Sequence, residues 1–163
     1  MAPIIRAERP GDAAAIRAVL LAAFGRSGEA DLVERLRADG DVALSLVAEA
    51  AGGIVGHILF TPLTAPFRAL GLGPLAVAPA WQGRGIGSAL SRAGLDSVRG
   101  DGWQGVFVLG DPVYYTRFGF RVAAAAGFEC SYAGPHFMAM PLAGRLLASQ
   151  GPVACAPAFA GLD

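Results

Sequence analysis

The chain has 163 residues, 54% of them hydrophobic and 16% charged, with 13 basic and 13 acidic side chains. That length suits one domain with a sizeable core over residues 1–163, and the zero formal charge leaves no electrostatic footprint for nucleic acid. Every basic side chain is arginine, which excludes the phosphate-loop ATPases and Schiff-base chemistry, since both need a lysine.

A short apolar stretch at Ile4 and Ile5 reads as an edge strand. Pro10-Gly11-Asp12 is a turn signal with Asp12 as N-cap, and Ile16, Leu20, Ala23 and Phe24 then recur on one helical face until Gly25. Residues 13–24 are apolar enough to imitate a signal-peptide core. Asp12 before them, Arg17 within them and the helical period assign them to a folded helix instead. A second helix is predicted over residues 29–38, with Leu32, Val33 and Leu36 inward, Asp31 placed to pair with Arg35, and Asp39-Gly40 as the stop.

Residues 42–49 and 54–60 are strand-like and joined through Ala50-Ala51-Gly52-Gly53 into a hairpin. The longest stretch without a formal charge, residues 50–67, carries Gly52, Gly53, Gly56, Pro62 and Pro66 and would make a poor membrane-spanning helix. A further apolar run, residues 69–78, ends at Pro79 and leads through a glycine-rich turn into a helix striped by Ile86, Leu90, Ala93 and Val98. Gly100-Asp101-Gly102 ends that helix, and residues 106–109 form a short buried strand. Asp111 then caps a helix that opens at Pro112, with Gly119 suited to its C-terminal turn. In the tail, strands are expected at residues 137–140 and 153–159, with a short helix over residues 142–149 between them. The alternation of strands and helices indicates a mixed α/β domain. Cys130, Cys155, His57 and His136 show no disulfide framework and no metal-ligand spacing. A soluble cytoplasmic protein without membrane, metal or nucleic acid is the expectation.

The turn Gln82-Gly83-Arg84-Gly85-Ile86-Gly87-Ser88 carries the chemistry. At a helix N-terminus the first backbone N–H groups lack intrahelical partners, and the helix dipole favours an anion. Three glycines without Cβ atoms let a phosphate approach the main chain closely. A tight turn that binds nothing is the other reading of the same residues. A dinucleotide fingerprint fails, because it needs glycine where Ser88 stands and an acidic residue at a distance where none follows. No Gly-x-Ser-x-Gly elbow gives Ser88 or Ser91 the setting of a hydrolase nucleophile.

Gln82-Gly83-Arg84-Gly85-Ile86-Gly87 resembles the Gln/Arg-x-x-Gly-x-Gly/Ala signature of the GCN5-related N-acetyltransferases, the GNAT superfamily. Leu75-Ala76-Val77-Ala78-Pro79 is similar to the strand that leads into it, and Tyr115-Thr116-Arg117-Phe118-Gly119-Phe120 resembles the family's Tyr-x-x-x-Gly-Phe ending. The run from Gly110 to Phe120 is similar to the YhbS-like branch, which the tail around Phe137-Met138-Ala139-Met140 and Ala158-Phe159 resembles too. This resemblance implies a central, mostly antiparallel mixed sheet of six to seven strands flanked by about four helices. It implies acetyl-CoA as acyl donor, its pyrophosphate on the amides near Arg84 to Ser88 and its pantetheine arm along Leu75, Ala76 and Val77, with an N–H near Val77 against the thioester carbonyl. Gln82 and Arg84 count with the turn, and their side chains either reach the phosphates or face solvent. Tyr115 is implied as the general acid toward the departing thiolate, against a packing role for the same ring. Tyr114, about 100° away around a helix, shares a face with Phe118 and reads as packing.

Two family features are missing: no Asp or Glu lies in residues 68–78, and Asp111 follows Gly110 where the family often has asparagine. The general base is therefore open among His57, Glu49, Asp111 and Glu29, with His57 favoured by its ordinary pKa near 6.5, and no base is needed for an amine that arrives neutral. The resemblance implies acetyl (acyl) transfer to the primary amine of a small molecule or peptide in a ternary complex. A silent acyl-CoA-binding module is the alternative. Glu29, Asp31 and Glu34 either line an acceptor cleft or form a solvated helix face. The low charge also fits a homodimer.

Overall fold

Four strands are laid down in sequence order from the N-terminus: β1 (Ile4–Ala7), β2 (Leu44–Ala50), β3 (Gly53–Leu63) and β4 (Ala69–Val77), each antiparallel to the one before. The computed structural model describes residues 2–162. The chain then adds β5 (Gly105–Leu109), β6 (Phe128–Glu129), β7 (Phe137–Pro141) and β8 (Gly151–Pro152). The main sheet runs β1-β2-β3-β4-β5-β7, and within it only β4 and β5 are parallel. β6 and β8 form a separate two-residue parallel pair. Ile4 does lie in an edge strand, and the hairpin turns at Ala51-Gly52, both left-handed as a tight two-residue hairpin requires.

The helices divide by face. α1 (Ala13–Phe24) and α2 (Gly28–Asp39) cover one side, where Ile16, Leu20, Val33 and Leu36 pack on Val47, Leu59 and Ala76. α3 (Ile86–Arg99) covers the other, with Ile86, Leu90, Leu95 and Val98 on Ile58, Phe60 and Leu70. Each such side chain contributes about 1.5–3 kcal/mol by leaving water. A third cluster joins Phe67, Phe107, Phe128 and Phe137 at the far end of the sheet, with ring centroids 5.1 to 6.1 Å apart. The single-turn helices α4 (Pro112–Tyr115) and α5 (Val122–Ala125) follow β5. This is the mostly antiparallel mixed sheet expected, with three long helices and two short ones. Among the described residues, no helix is long and apolar enough to cross a membrane.

Four local expectations are corrected. Asp31 pairs with Arg17 of α1 at 2.9 Å rather than with Arg35, because the two helices lie side by side and a neighbour across the pair is nearer than one along the turn. Phe24 is 38% exposed at the end of α1, not in the core. Residues 142–149 form no helix: Gly144 is left-handed, and the Leu142 amide donates to the Gln104 carbonyl outside any helical register. Residues 153–159 form no continuous strand. Pro152 precedes the segment and Pro157 interrupts it, Ala154 makes a single bridge to Thr64, and a 3-10 turn spans Pro157–Gly161.

Candidate active site

β4 is two strands' neighbour for only half its length. Residues 69–72 pair with residues 105–108 of β5, after which β5 leaves and β4 continues along β3 alone. The departure coincides with a bulge, where Leu59 stands opposite both Gly73 and Pro74, and Pro74 has no N–H to donate. Past the bulge the pairing is regular again, and the Ala78 amide donates to the Val55 carbonyl at 2.8 Å. By the alternation of an antiparallel ladder, Ala76 bonds to β3 while Leu75 and Val77 turn their N–H and C=O groups toward the gap. The Val77 carbonyl accepts from Gln82 Nε2 at 3.0 Å, which leaves the Val77 N–H and both Leu75 groups open.

The glycine turn stands at the end of this gap. Gly83 and Gly85 are left-handed, with φ of 78° and 81°, and nothing lies within 4 Å of where their Cβ atoms would stand. The first helical bond of α3 runs from the Ala89 N–H to the Gly85 carbonyl, so the amides of Ile86, Gly87 and Ser88 have no intrahelical partner, and no side chain caps them. The Arg84 guanidinium lies 4.8 Å above the Trp81 ring, and the Gln82 amide is held by Val77. Both side chains thus brace the turn itself. Tyr114 closes over the same helix end. Its hydroxyl is 3.4 Å from Ser88 Oγ and 3.1 Å from the Cβ position of Gly87, and its ring packs edge-on against Phe118.

Tyr115 faces the gap from the other side. Asp111 accepts from the Val113 N–H at 3.0 Å and Pro112 opens α4, as the sequence suggested. Gly110 allows the Tyr115 ring to lie flat on the chain, because a Cβ there would fall 2.5 Å from the ring. Burial pushes the phenol up to about 12. The hydroxyl makes no hydrogen bond to the described residues, so it is available as a donor. With Gly73, Pro74, Leu75 and Leu109, Tyr115 lines a cavity of about 640 Å³ that extends across the sheet face opposite α3.

The candidate bases separate sharply. His57 is fully buried beneath β2, its Nε2 is 2.9 Å from Ser45 Oγ, and Ser45 donates to Glu8 at 2.6 Å. Burial pulls the imidazole down to about 4. His57 does not line the cavity. Glu49 is paired with Arg6 at 3.1 Å, and Asp111 is occupied as the α4 cap. Only Glu29 lines the cavity, 5% exposed. Both its oxygens accept from Arg26, at 3.0 and 2.6 Å, which holds its carboxyl below the usual range. Asp31 and Glu34 pair with Arg17 outside the cavity. Thr61, Cys130, Tyr132 and Cys155 also line it; sequence reasoning assigned the two cysteines no role and did not single out Thr61 or Tyr132. For Cys130, Tyr132 and Cys155 the only sequence signal was a tail rich in small apolar residues, and Thr61 in β3 carried none. No three His, Cys, Asp or Glu side chains among the described residues group to hold a metal ion.

Residues 41–122 match the profile of a family described as an acetyltransferase (GNAT) domain. The chain is 40% identical over 135 residues to the uncharacterized N-acetyltransferase YhbS of Escherichia coli K12, covering 80% of this chain and 81% of that protein. The crystal structure of Escherichia coli YhbS in complex with CoA superposes with a TM-score of 0.91 at 36% identity, over 98% of this chain and 93% of that one. A GNAT family acetyltransferase from Brucella melitensis in complex with acetyl-CoA gives 0.83 at 41% identity, over 96% and 97%.

Proposed function

The chain belongs to the GNAT acetyltransferases, and from that premise we propose that it moves the acetyl group of acetyl-CoA onto the primary amine of an acceptor by direct attack in a ternary complex. The observation that carries this reading is the Tyr115 side chain lining one cavity with Leu75 of the open β4 edge, while Gly87 in the first turn of α3 lies against the Leu75 and Val77 side chains. Residues 84–88 fit a pyrophosphate: their amides point outward with the positive end of the helix dipole, and Gly83 and Gly85 leave the approach clear. Leu75 and Val77 fit the amide-bearing arm of the donor, which pairs with them as an added strand would, and the Val77 N–H then donates where negative charge grows on the thioester oxygen.

In the reaction the amine nitrogen bonds to the acetyl carbon as the carbon–sulfur bond breaks. Tyr115, protonated at every working pH, donates to the leaving sulfur. A thiol titrates near 8.5, below this phenol, so the tyrosine gives its proton to the sulfur only in concert with the proton shed by the amine, which restores the tyrosine. An acceptor that arrives as the neutral amine requires no further base.

Calorimetry with acetyl-CoA, paired with thiol release in the presence of primary amines, tests the reading. Binding together with amine-dependent release of CoA is expected. Binding without transfer to any amine would identify a silent acyl-CoA module, and no binding at millimolar acetyl-CoA would refute both.

A further inference from the structure

We propose that the acceptor is a monoamine on an apolar body, an aryl-alkyl or branched-alkyl primary amine with no carboxylate, phosphate or second ammonium. The inference rests on the acetyl-transfer reading and concerns the acceptor end of the same cavity. Leu63, Phe107, Phe137, Val153, Phe159 and Leu162 supply its walls, and a volume of about 640 Å³ lies in the range of pockets that enclose small molecules.

Charge decides the class. Among the described residues Glu29 is the only charged side chain lining the cavity, and Arg26 already engages both of its oxygens. A polyamine would strip water from additional ammonium groups and find no free carboxylate for them among the described residues. An amino acid or sugar phosphate would bring an anion to walls that contain no arginine and no histidine. The other polar side chains of the lining are hydroxyls and thiols: Thr61, Tyr115, Ser131, Tyr132, Cys130 and Cys155. Thr61 is 1% exposed and its Oγ1 is buried without a hydrogen-bond partner among the described residues, so it offers no site for an ion.

The apolar wall is built in. The 3-10 turn Pro157–Gly161 packs on α2 through Ala158 and Phe159, so the tail closes the cavity with hydrocarbon where an acidic loop would have served a cationic acceptor.

Three probes differing in charge test the assignment on the full chain: 2-phenylethylamine, phenylalanine, which adds only a carboxylate, and spermidine. Acetyl-transfer rates are measured alongside calorimetric titration of each probe into CoA-saturated protein. The expected kcat/KM for 2-phenylethylamine exceeds both others by about tenfold or more. Ala160→Trp, at the exposed rim, is expected to lower that value by about tenfold while acetyl-CoA affinity holds. Spermidine or phenylalanine reacting as well as 2-phenylethylamine would overturn the proposal, and so would failure of 2-phenylethylamine both to bind and to react. Binding of 2-phenylethylamine alone, with no amine acetylated, would uphold the apolar-amine site and refute acetyl transfer instead.

Discussion

Replacing Tyr115 by Phe removes one oxygen atom and separates catalysis from folding. In the folded protein that oxygen makes no hydrogen bond to the described residues, while the ring packs against Tyr114 at 4.9 Å and Phe120 at 5.9 Å between centroids. Phenylalanine preserves those ring contacts. Stability is therefore expected to change by less than about 1 kcal/mol, since no partner is left stranded. Turnover is a different matter. A positioned general acid contributes roughly 10²–10⁴ in rate, or about 3–5 kcal/mol of barrier. The assay is initial-rate thiol release across pH 6 to 10, with calorimetric affinity for acetyl-CoA and thermal unfolding of both proteins. A fall of at least about 100-fold in kcat, with the affinity within a few-fold and unfolding unchanged, is the expected result. The pH profile adds a second check. Because burial raises the phenol to about 12, it stays protonated throughout this range, and at pH 9 only about one molecule in a thousand is ionised. The wild-type rate should climb as the amine loses its proton and show no descending limb below pH 10. A Phe variant with undiminished kcat while chemistry limits the rate, or a wild-type descending limb centred near pH 9, would refute the acid role.

Gly85→Ala places a side chain on a residue at φ 81°, costing about 1–2 kcal/mol in a left-handed conformation. Nothing within 4 Å obstructs it in the free protein, so the lesion should appear as a lowered Tm together with acetyl-CoA affinity reduced about tenfold by calorimetry. Intact affinity would remove the turn from the donor site. His57 has a folded pKa near 4, below its ordinary 6.5, because it is buried. The unfolded chain then binds the proton more readily, so stability is full above pH 6.5 and falls between pH 6.5 and 4, by up to about 1.4 kcal/mol per pH unit. His57→Gln should flatten that loss in denaturant titrations at several pH values and leave activity at pH 8 within about fivefold. A collapse of activity without loss of stability would restore His57 as a base.

The strand, turn and helix start proposed to hold the donor were legible in the sequence as local structure, because their parts are local. A strand, a turn with two obligatory left-handed glycines and a helix N-terminus follow one another between Leu75 and Ser88, and backbone conformation at Gly83 and Gly85 is a property of those residues themselves. The Asp111-Pro112 cap is equally local, and it sets Tyr115 one turn later. Ala76 shows the limit: the run Leu75-Ala76-Val77 reads alike along the chain, yet pairing with β3 decides which of its amides remain open.

The cavity proposed for the acceptor became visible only in three dimensions. Glu29, Thr61, Cys130 and Cys155 come from four separate segments, and no spacing along the chain encodes their meeting. His57 drew attention by its ordinary pKa, but packing beneath the sheet removed it from the cavity and suppressed its charge. The tail read as helix and strand by composition, whereas Pro152, Pro157 and the bridge from Ala154 to Thr64 made it a wall. Local conformational preference acts over a few residues and is written in the sequence. Burial, desolvation and long-range pairing depend on which surfaces meet, and those were settled only when the two faces of the sheet were covered.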